Sequence, residues 1–140
     1  MLIGEYRNTL DAKGRVIIPA AFRYDLGDRF ILAKGIEKCL NIYPEEEWFD
    51  FVQKLQAAMP SSRKENRKAI RFFSSNATVC ELDKQGRILI PNKMREYAGL
   101  DKELLFIGGF NKVEIWNPDN YEDSEAEEIG SILEELNIKY

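Results

Sequence analysis

Two short turns in this chain carry the same chemistry. Asp11-Ala12-Lys13-Gly14-Arg15 is matched by Asp83-Lys84-Gln85-Gly86-Arg87. The aspartates suit the start of a turn, where a carboxylate accepts backbone N–H groups. The glycines suit a position of positive φ near its end. On that reading Asp11, Gly14, Asp83 and Gly86 are structural turn residues. Turn geometry does not call for the arginines. A guanidinium fork matches phosphate oxygens, or the O6/N7 edge of guanine, with two parallel hydrogen bonds. Two readings of Arg15 and Arg87 therefore stand, an ion pair with a nearby carboxylate and a contact with nucleic acid. Asp11 and Asp83 could orient the guanidiniums under either. Lys13, Arg23, Lys84, Lys93 and Arg95 flank the turns and are either phosphate contacts or solvated surface charges. Phosphate contacts position a protein and make binding salt-dependent without reading sequence.

Other chemistries find little support. The chain has no histidine, which removes the commonest acid–base catalyst at neutral pH. Cys39 and Cys80 are isolated and form no paired motif, so reduced structural thiols are expected and a metal site is not. No phosphate-binding loop or nucleophile triad is present. The expectation is a protein that is not an enzyme and takes no cofactor, metal or small-molecule substrate.

The net charge of −4 is unevenly distributed. Residues 1–59 sum to −1, residues 60–95 to +6 and residues 96–140 to −9, counting Lys and Arg against Asp and Glu. Screening confines each patch to roughly 8–10 Å, so a basic surface is compatible with an acidic chain when the acidic segment lies elsewhere. There is neither an apolar stretch of membrane-spanning length nor a secretory leader pattern, and a cytoplasmic location is expected.

The turns must be held by repeated elements, because the motif is part of a longer repeat. Leu, Asp, Gly, Arg, Ile, Pro, Arg and Gly recur in register from Leu10 to Gly27 and from Leu82 to Gly99. Each copy reads as a strand, the turn, a β-branched strand ending at Pro19 or Pro91, a short helix stopped by glycine, and a hairpin. The first hairpin turns at Lys34-Gly35 and the second at Gly108-Gly109. After Pro44, the acidic residues Glu45 to Glu47 open a helix with the apolar stripe Trp48, Phe51, Val52 and Leu55. Pro60-Ser61-Ser62 breaks the chain, and Ser62 with Glu65 predicts a capping box. The following helix carries Arg63, Lys64, Arg67, Lys68 and Arg71 along one side. That run is either a DNA-facing stripe or an exposed helix face. Asn117-Pro118 predicts the start of a last helix, whose later stripe of Ile129, Ile132, Leu133 and Leu136 needs a partner surface. The expected organisation is a first module over 1–59, a basic linker helix over 60–76 and a second module over 77–140, folded as one unit. The copies are expected to face each other across a pseudo-two-fold axis.

The block Leu-Asp-x-x-Gly-Arg-x-x-Ile-Pro-x-x-x-Arg resembles the swapped-hairpin DNA-binding module of AbrB-like regulators. Two modules in one chain resemble the MraZ family. So do Gly4-Glu5-Tyr6, Tyr43-Pro44-Glu45 with Trp48, Arg71-Phe72-Phe73 with Ala77, and Glu114-Ile115-Trp116. The resemblance implies an α+β fold of two tandem swapped-hairpin modules, with interleaved strands forming a barrel-like sheet and helices outside. It implies a ring-shaped homo-oligomer with the Asp-x-x-x-Arg motifs on one rim. It further implies a nucleoid-associated bacterial transcriptional regulator that binds repeated double-stranded DNA sites upstream of the division and cell-wall gene cluster. By position, the DNA-contacting residues are then Arg15 and Arg87, supported by Lys13 and Lys84. An antitoxin-like protein binder is the first rival, because antitoxins reuse this module, usually as one copy with a disordered tail.

Overall fold

A computed structural model describes all 140 residues. Eight strands and five helices follow in chain order: β1 (Glu5–Thr9), β2 (Arg15–Ile17), α1 (Ala20–Leu26), β3 (Arg29–Lys34), β4 (Leu40–Pro44), α2 (Glu45–Ala58), α3 (Lys64–Ser74), β5 (Thr78–Glu81), β6 (Arg87–Leu89), α4 (Asn92–Ala98), β7 (Glu103–Gly108), β8 (Val113–Trp116) and α5 (Ala126–Glu135). The fold is α+β with antiparallel pairing throughout.

Six strands form one sheet in the order β1-β7-β8-β4-β3-β5, and β2 pairs with β6 as a separate ribbon. Exchanging the copies maps β1 onto β5, β7 onto β3 and β8 onto β4. That operation reverses the strand order and leaves it unchanged, which is the signature of a pseudo-two-fold axis. Each copy also lends a strand to the other. β1 of the first pairs with β7 of the second, and β5 of the second pairs with β3 of the first. The ribbon obeys the same symmetry, with Val16 opposite Ile88 at its centre and Arg15 opposite Leu89 and Ile17 opposite Arg87 on either side. The sheet does not close into the expected barrel. It is an open sheet with β1 and β5 at its edges, and the ribbon lies over it instead.

The main core fills the space between sheet and ribbon. Phe30, Leu32, Ile42, Leu104, Phe106 and Ile115 come from the sheet, Val16 and Ile88 from the ribbon, and Phe22, Leu26, Met94 and Ala98 from α1 and α4. Burying a large aliphatic or aromatic side chain stabilises by about 1.5–3 kcal/mol, so the ribbon is anchored by its inward residues. On the opposite face, Cys39, Leu105 and Trp116 form a second cluster. There α2 and α3 complete an aromatic chain in which Tyr43 packs on Trp48 and Phe51, Phe51 on Phe73, Phe73 on Phe72, and Phe72 on Tyr97. Burial pushes the Cys39 thiol up to about 12 and the Cys80 thiol to about 11, so both stay protonated and unreactive at neutral pH.

Two local expectations are corrected. The Ser62 capping box does not form, because α3 begins after Arg63 and Glu65 turns back to pair with that arginine at 2.6 Å. The last helix does not start at Asn117-Pro118. Asn117 caps only a single 3-10 turn, Pro118–Asn120, by accepting from the Asp119 N–H at 3.0 Å. Its amide also donates to the Gly99 carbonyl, and Tyr121 packs edge-on against Trp116 at 5.4 Å. Those contacts hold the segment against the body, and α5 begins only at Ala126. Ile129, Ile132 and Leu136 remain exposed along it.

Candidate nucleic-acid interface

Each motif turn is built by its aspartate. Asp11 Oδ1 accepts the backbone N–H groups of Lys13 and Arg15, both at 2.9 Å, and Oδ2 accepts Arg15 Nε at 3.0 Å. Asp83 repeats this with Gln85 N at 2.9 Å, Arg87 N at 2.8 Å and Arg87 Nε at 2.8 Å. The backbone N–H of Arg15 is the main cause holding the Asp11 carboxyl below its ordinary range, and that of Arg87 does the same for Asp83. Partial burial opposes the shift in both, and the guanidiniums add to it. Both aspartates are therefore anionic acceptors at neutral pH. They fix each arginine through Nε, so neither guanidinium is free to swing about its stem.

The glycines close each turn onto the other copy. Gly14 has φ +85° and Gly86 φ +77°. A side chain at Gly14 would stand 2.7 Å from the Arg95 guanidinium, and one at Gly86 would stand 2.6 Å from Arg23. The ribbon pairing then continues into the turns, with Ile18 N donating to the Gly86 carbonyl at 2.9 Å and Ile90 N to that of Gly14 at 2.8 Å. Arg23 and Arg95 are thus packed against the opposite copy's turn glycine, and Arg23 Nε donates to the Ile18 carbonyl. Among the flanking bases these two brace the turns, whereas Lys13, Lys84 and Lys93 stand exposed. The arginines and lysines of α3 are exposed as well, and Arg67 folds back to donate to the Ser61 carbonyl.

The result is a two-stranded antiparallel ribbon with strict alternation. Val16 and Ile88 point into the core; Arg15, Ile17, Arg87 and Leu89 point outward. The two arginines sit diagonally across the ribbon, so their Cα atoms are about 7–8 Å apart, close to two base-pair rises of B-DNA at about 3.4 Å each. A two-stranded ribbon is one of the elements the major groove admits.

Comparison with known proteins gives the chain a family. The family model described as "MraZ protein, putative antitoxin-like" fits twice, over residues 1–72 and 73–135. The chain belongs to the MraZ family. It is 50% identical to the transcriptional regulator MraZ of Thermoanaerobacter pseudethanolicus over 99% of this chain and 100% of that one. The regulators of the same name from Desulforamulus reducens and Moorella thermoacetica are also 50% identical, covering 91% and 88% of this chain and 89% and 85% of theirs.

Beyond its MraZ-type motif, the site contains features that the motif alone does not disclose. Gln85 accepts from Arg87 at 3.0 Å, and Asp11 Oδ2 lies 3.9 Å from Arg87 as well as bonding Arg15. The turns are therefore electrostatically coupled through Asp11. Ile17 and Leu89 stand 44% and 56% exposed beside the arginines. The alternation Arg15-Val16-Ile17 and Arg87-Ile88-Leu89 carried that information, because a strand that turns its arginine outward turns the residue two further on outward too.

Proposed function

We propose that this MraZ-family chain is a sequence-specific regulator that lays its β2–β6 ribbon in the major groove of promoter DNA. Arg15 and Arg87 read bases, and Lys13 and Lys84 contact phosphates. The observation that carries this reading is the fixed placement of both arginines on the outer side of the ribbon, each held through Nε by an aspartate that also accepts two backbone N–H groups. Arginine bidentate to guanine is the commonest specific major-groove contact and discriminates by about 1–3 kcal/mol. A reader of this kind gains when its donors are held in place before binding, because less conformational freedom is lost.

One ribbon supplies only two arginines, too few for tight specific binding. A ring-shaped homo-oligomer engaging repeated promoter sites would multiply them, since linked weak contacts gain avidity when spacing allows simultaneous engagement. The exposed Ile129, Ile132 and Leu136 of α5 support self-association by leaving an apolar face that the chain itself does not cover. A closed ring and a straight duplex do not match in curvature, so ring opening or DNA bending accompanies binding. In this reading the regulated promoter is that of the division and cell-wall gene cluster, and the protein acts at the nucleoid.

The test is a nuclease footprint on the fragment upstream of this gene, combined with light scattering of the free protein. Evenly spaced protected sites, a multimeric mass and loss of protection in Arg15→Ala/Arg87→Ala are expected. Uniform protection of unrelated DNA, or an unchanged footprint in the double variant, would overturn the assignment.

A further inference from the structure

The outward face of the ribbon is not purely basic. Each arginine has an apolar residue directly opposite it on the other strand, Arg15 facing Leu89 and Arg87 facing Ile17. Both apolar side chains are about half exposed, although Val16, Ile18, Ile88 and Ile90 on the same segments are fully buried. Neither residue is needed for the turn, which is built by aspartate, glycine and backbone. Nor does either fill the core. Solvated ribbon positions are ordinarily occupied by polar or charged residues, and two branched aliphatics related by the pseudo-two-fold axis call for a ligand with apolar spots beside guanine-like acceptors.

Double-stranded DNA offers that pattern in its major groove, where thymine shows a C5-methyl group and guanine shows O6 and N7. Residues opposite each other on neighbouring strands lie about 4.5–5.5 Å apart, within reach of adjacent base pairs. We infer that Ile17 and Leu89 are specificity-determining residues that cover thymine methyl groups next to the guanines read by Arg87 and Arg15. This rests on the ribbon being the DNA-reading element, and it adds a second base and a second kind of contact to that reading. Each half of the ribbon reads a two-letter unit, one guanine by hydrogen bonds and one thymine by its methyl. The arginine and the aliphatic side chain come from different copies of the repeat, so neither motif reads a full unit alone.

The experiment uses the full-length protein and two versions of its own promoter fragment, one with thymine throughout and one with uracil, which lacks only the methyl. Covering one methyl contributes about fourfold in affinity, so the wild type should bind the uracil fragment roughly 15-fold more weakly when both contacts are made. Ile17→Ala/Leu89→Ala should bind the thymine fragment more weakly by a similar factor and show no further loss on uracil. Its oligomer mass should match the wild type and its melting temperature should fall only modestly, because each side chain removed is already about half exposed. Equal wild-type affinity for the two fragments would overturn the inference and leave the DNA reading standing. So would a uracil penalty that persists in the double variant, or an altered oligomer mass, which would assign the two residues to a contact between copies. Absence of wild-type binding to the thymine fragment would instead sink the DNA reading itself.

Discussion

The turn at Asp11 and the turn at Asp83 share a backbone but not the freedom of their arginines. Both aspartates make the same three hydrogen bonds, and both glycines press against an arginine from the other copy. Beyond Nε the two differ. Arg87 also donates to Gln85 and lies near Asp11, and its side chain is 23% exposed; Arg15, whose turn has Lys13 at the position of Gln85, is 34% exposed. Duplication has preserved the part of the motif that folds and varied the part that sets how far the guanidinium can reach. The second arginine is the more tightly held and the first the freer.

The sharpest way to test the shared half is to fill the glycines. Gly14→Val and Gly86→Val each place a β-branched side chain at positive φ and against a guanidinium. Backbone strain alone costs roughly 1–3 kcal/mol, and the displaced arginine adds to it. Urea or thermal unfolding should show equal, large losses for the two variants or outright failure to assemble. A marked inequality would mean that the turns are not structurally equivalent.

The next effect concerns the half that differs. Arg15→Ala and Arg87→Ala should each weaken promoter binding by about 1–3 kcal/mol while lowering stability by less than about 1 kcal/mol, since partly exposed ion pairs contribute little. Gln85→Lys, which gives the second turn the first turn's residue, should loosen Arg87 and broaden its base preference in a binding-site selection. Unchanged preference would show that Gln85 does not restrain it.

A smaller effect follows from the aspartates. Their carboxyls titrate below the ordinary 3.8 in the folded protein, so the unfolded chain binds more protons as acid is added. Their contribution to stability is complete above that ordinary value and is lost as pH falls through the lowered folded values. Asp11→Asn/Asp83→Asn should therefore flatten the acid limb of a plot of melting temperature against pH, leaving its neutral region lower but parallel. The smallest change is expected for Lys13→Ala or Lys84→Ala, each of which should reduce the slope of log affinity against log salt by about 1.

Much of this architecture was legible because it is local. The turns, the short helices stopped by Gly27 and Gly99, and both hairpins depend on residues close in sequence. So does the acidic start of α2. Strand exchange was less legible in detail. Nothing within Glu5–Thr9 names Glu103–Gly108 as its partner, since pairing between distant strands is settled by packing. The capping box fails because the helix begins one residue later than the motif predicts, which puts Arg63 rather than Ser62 at its N-cap. The delayed start of α5 shows a local rule losing to tertiary packing of Tyr121 on Trp116. At the candidate site, the arginines and aspartates could be read from motif chemistry. The bracing roles of Arg23 and Arg95 could not, because each acts on a glycine in the other copy. Ile17 and Leu89 lay within reach of simple alternation but were hidden by a β-branched run that reads as uniformly buried.

Two aspartate-held arginines on one ribbon are proposed to read DNA while the fold stands without them. The most direct measurement is promoter affinity across a salt series for the wild type and Arg15→Ala/Arg87→Ala, with melting temperature and oligomer mass recorded on the same samples. Strong, salt-sensitive binding that the double variant loses is expected, with melting temperature and mass nearly unchanged. Equal binding by the two proteins would contradict it and move the contact surface to the exposed bases of α3.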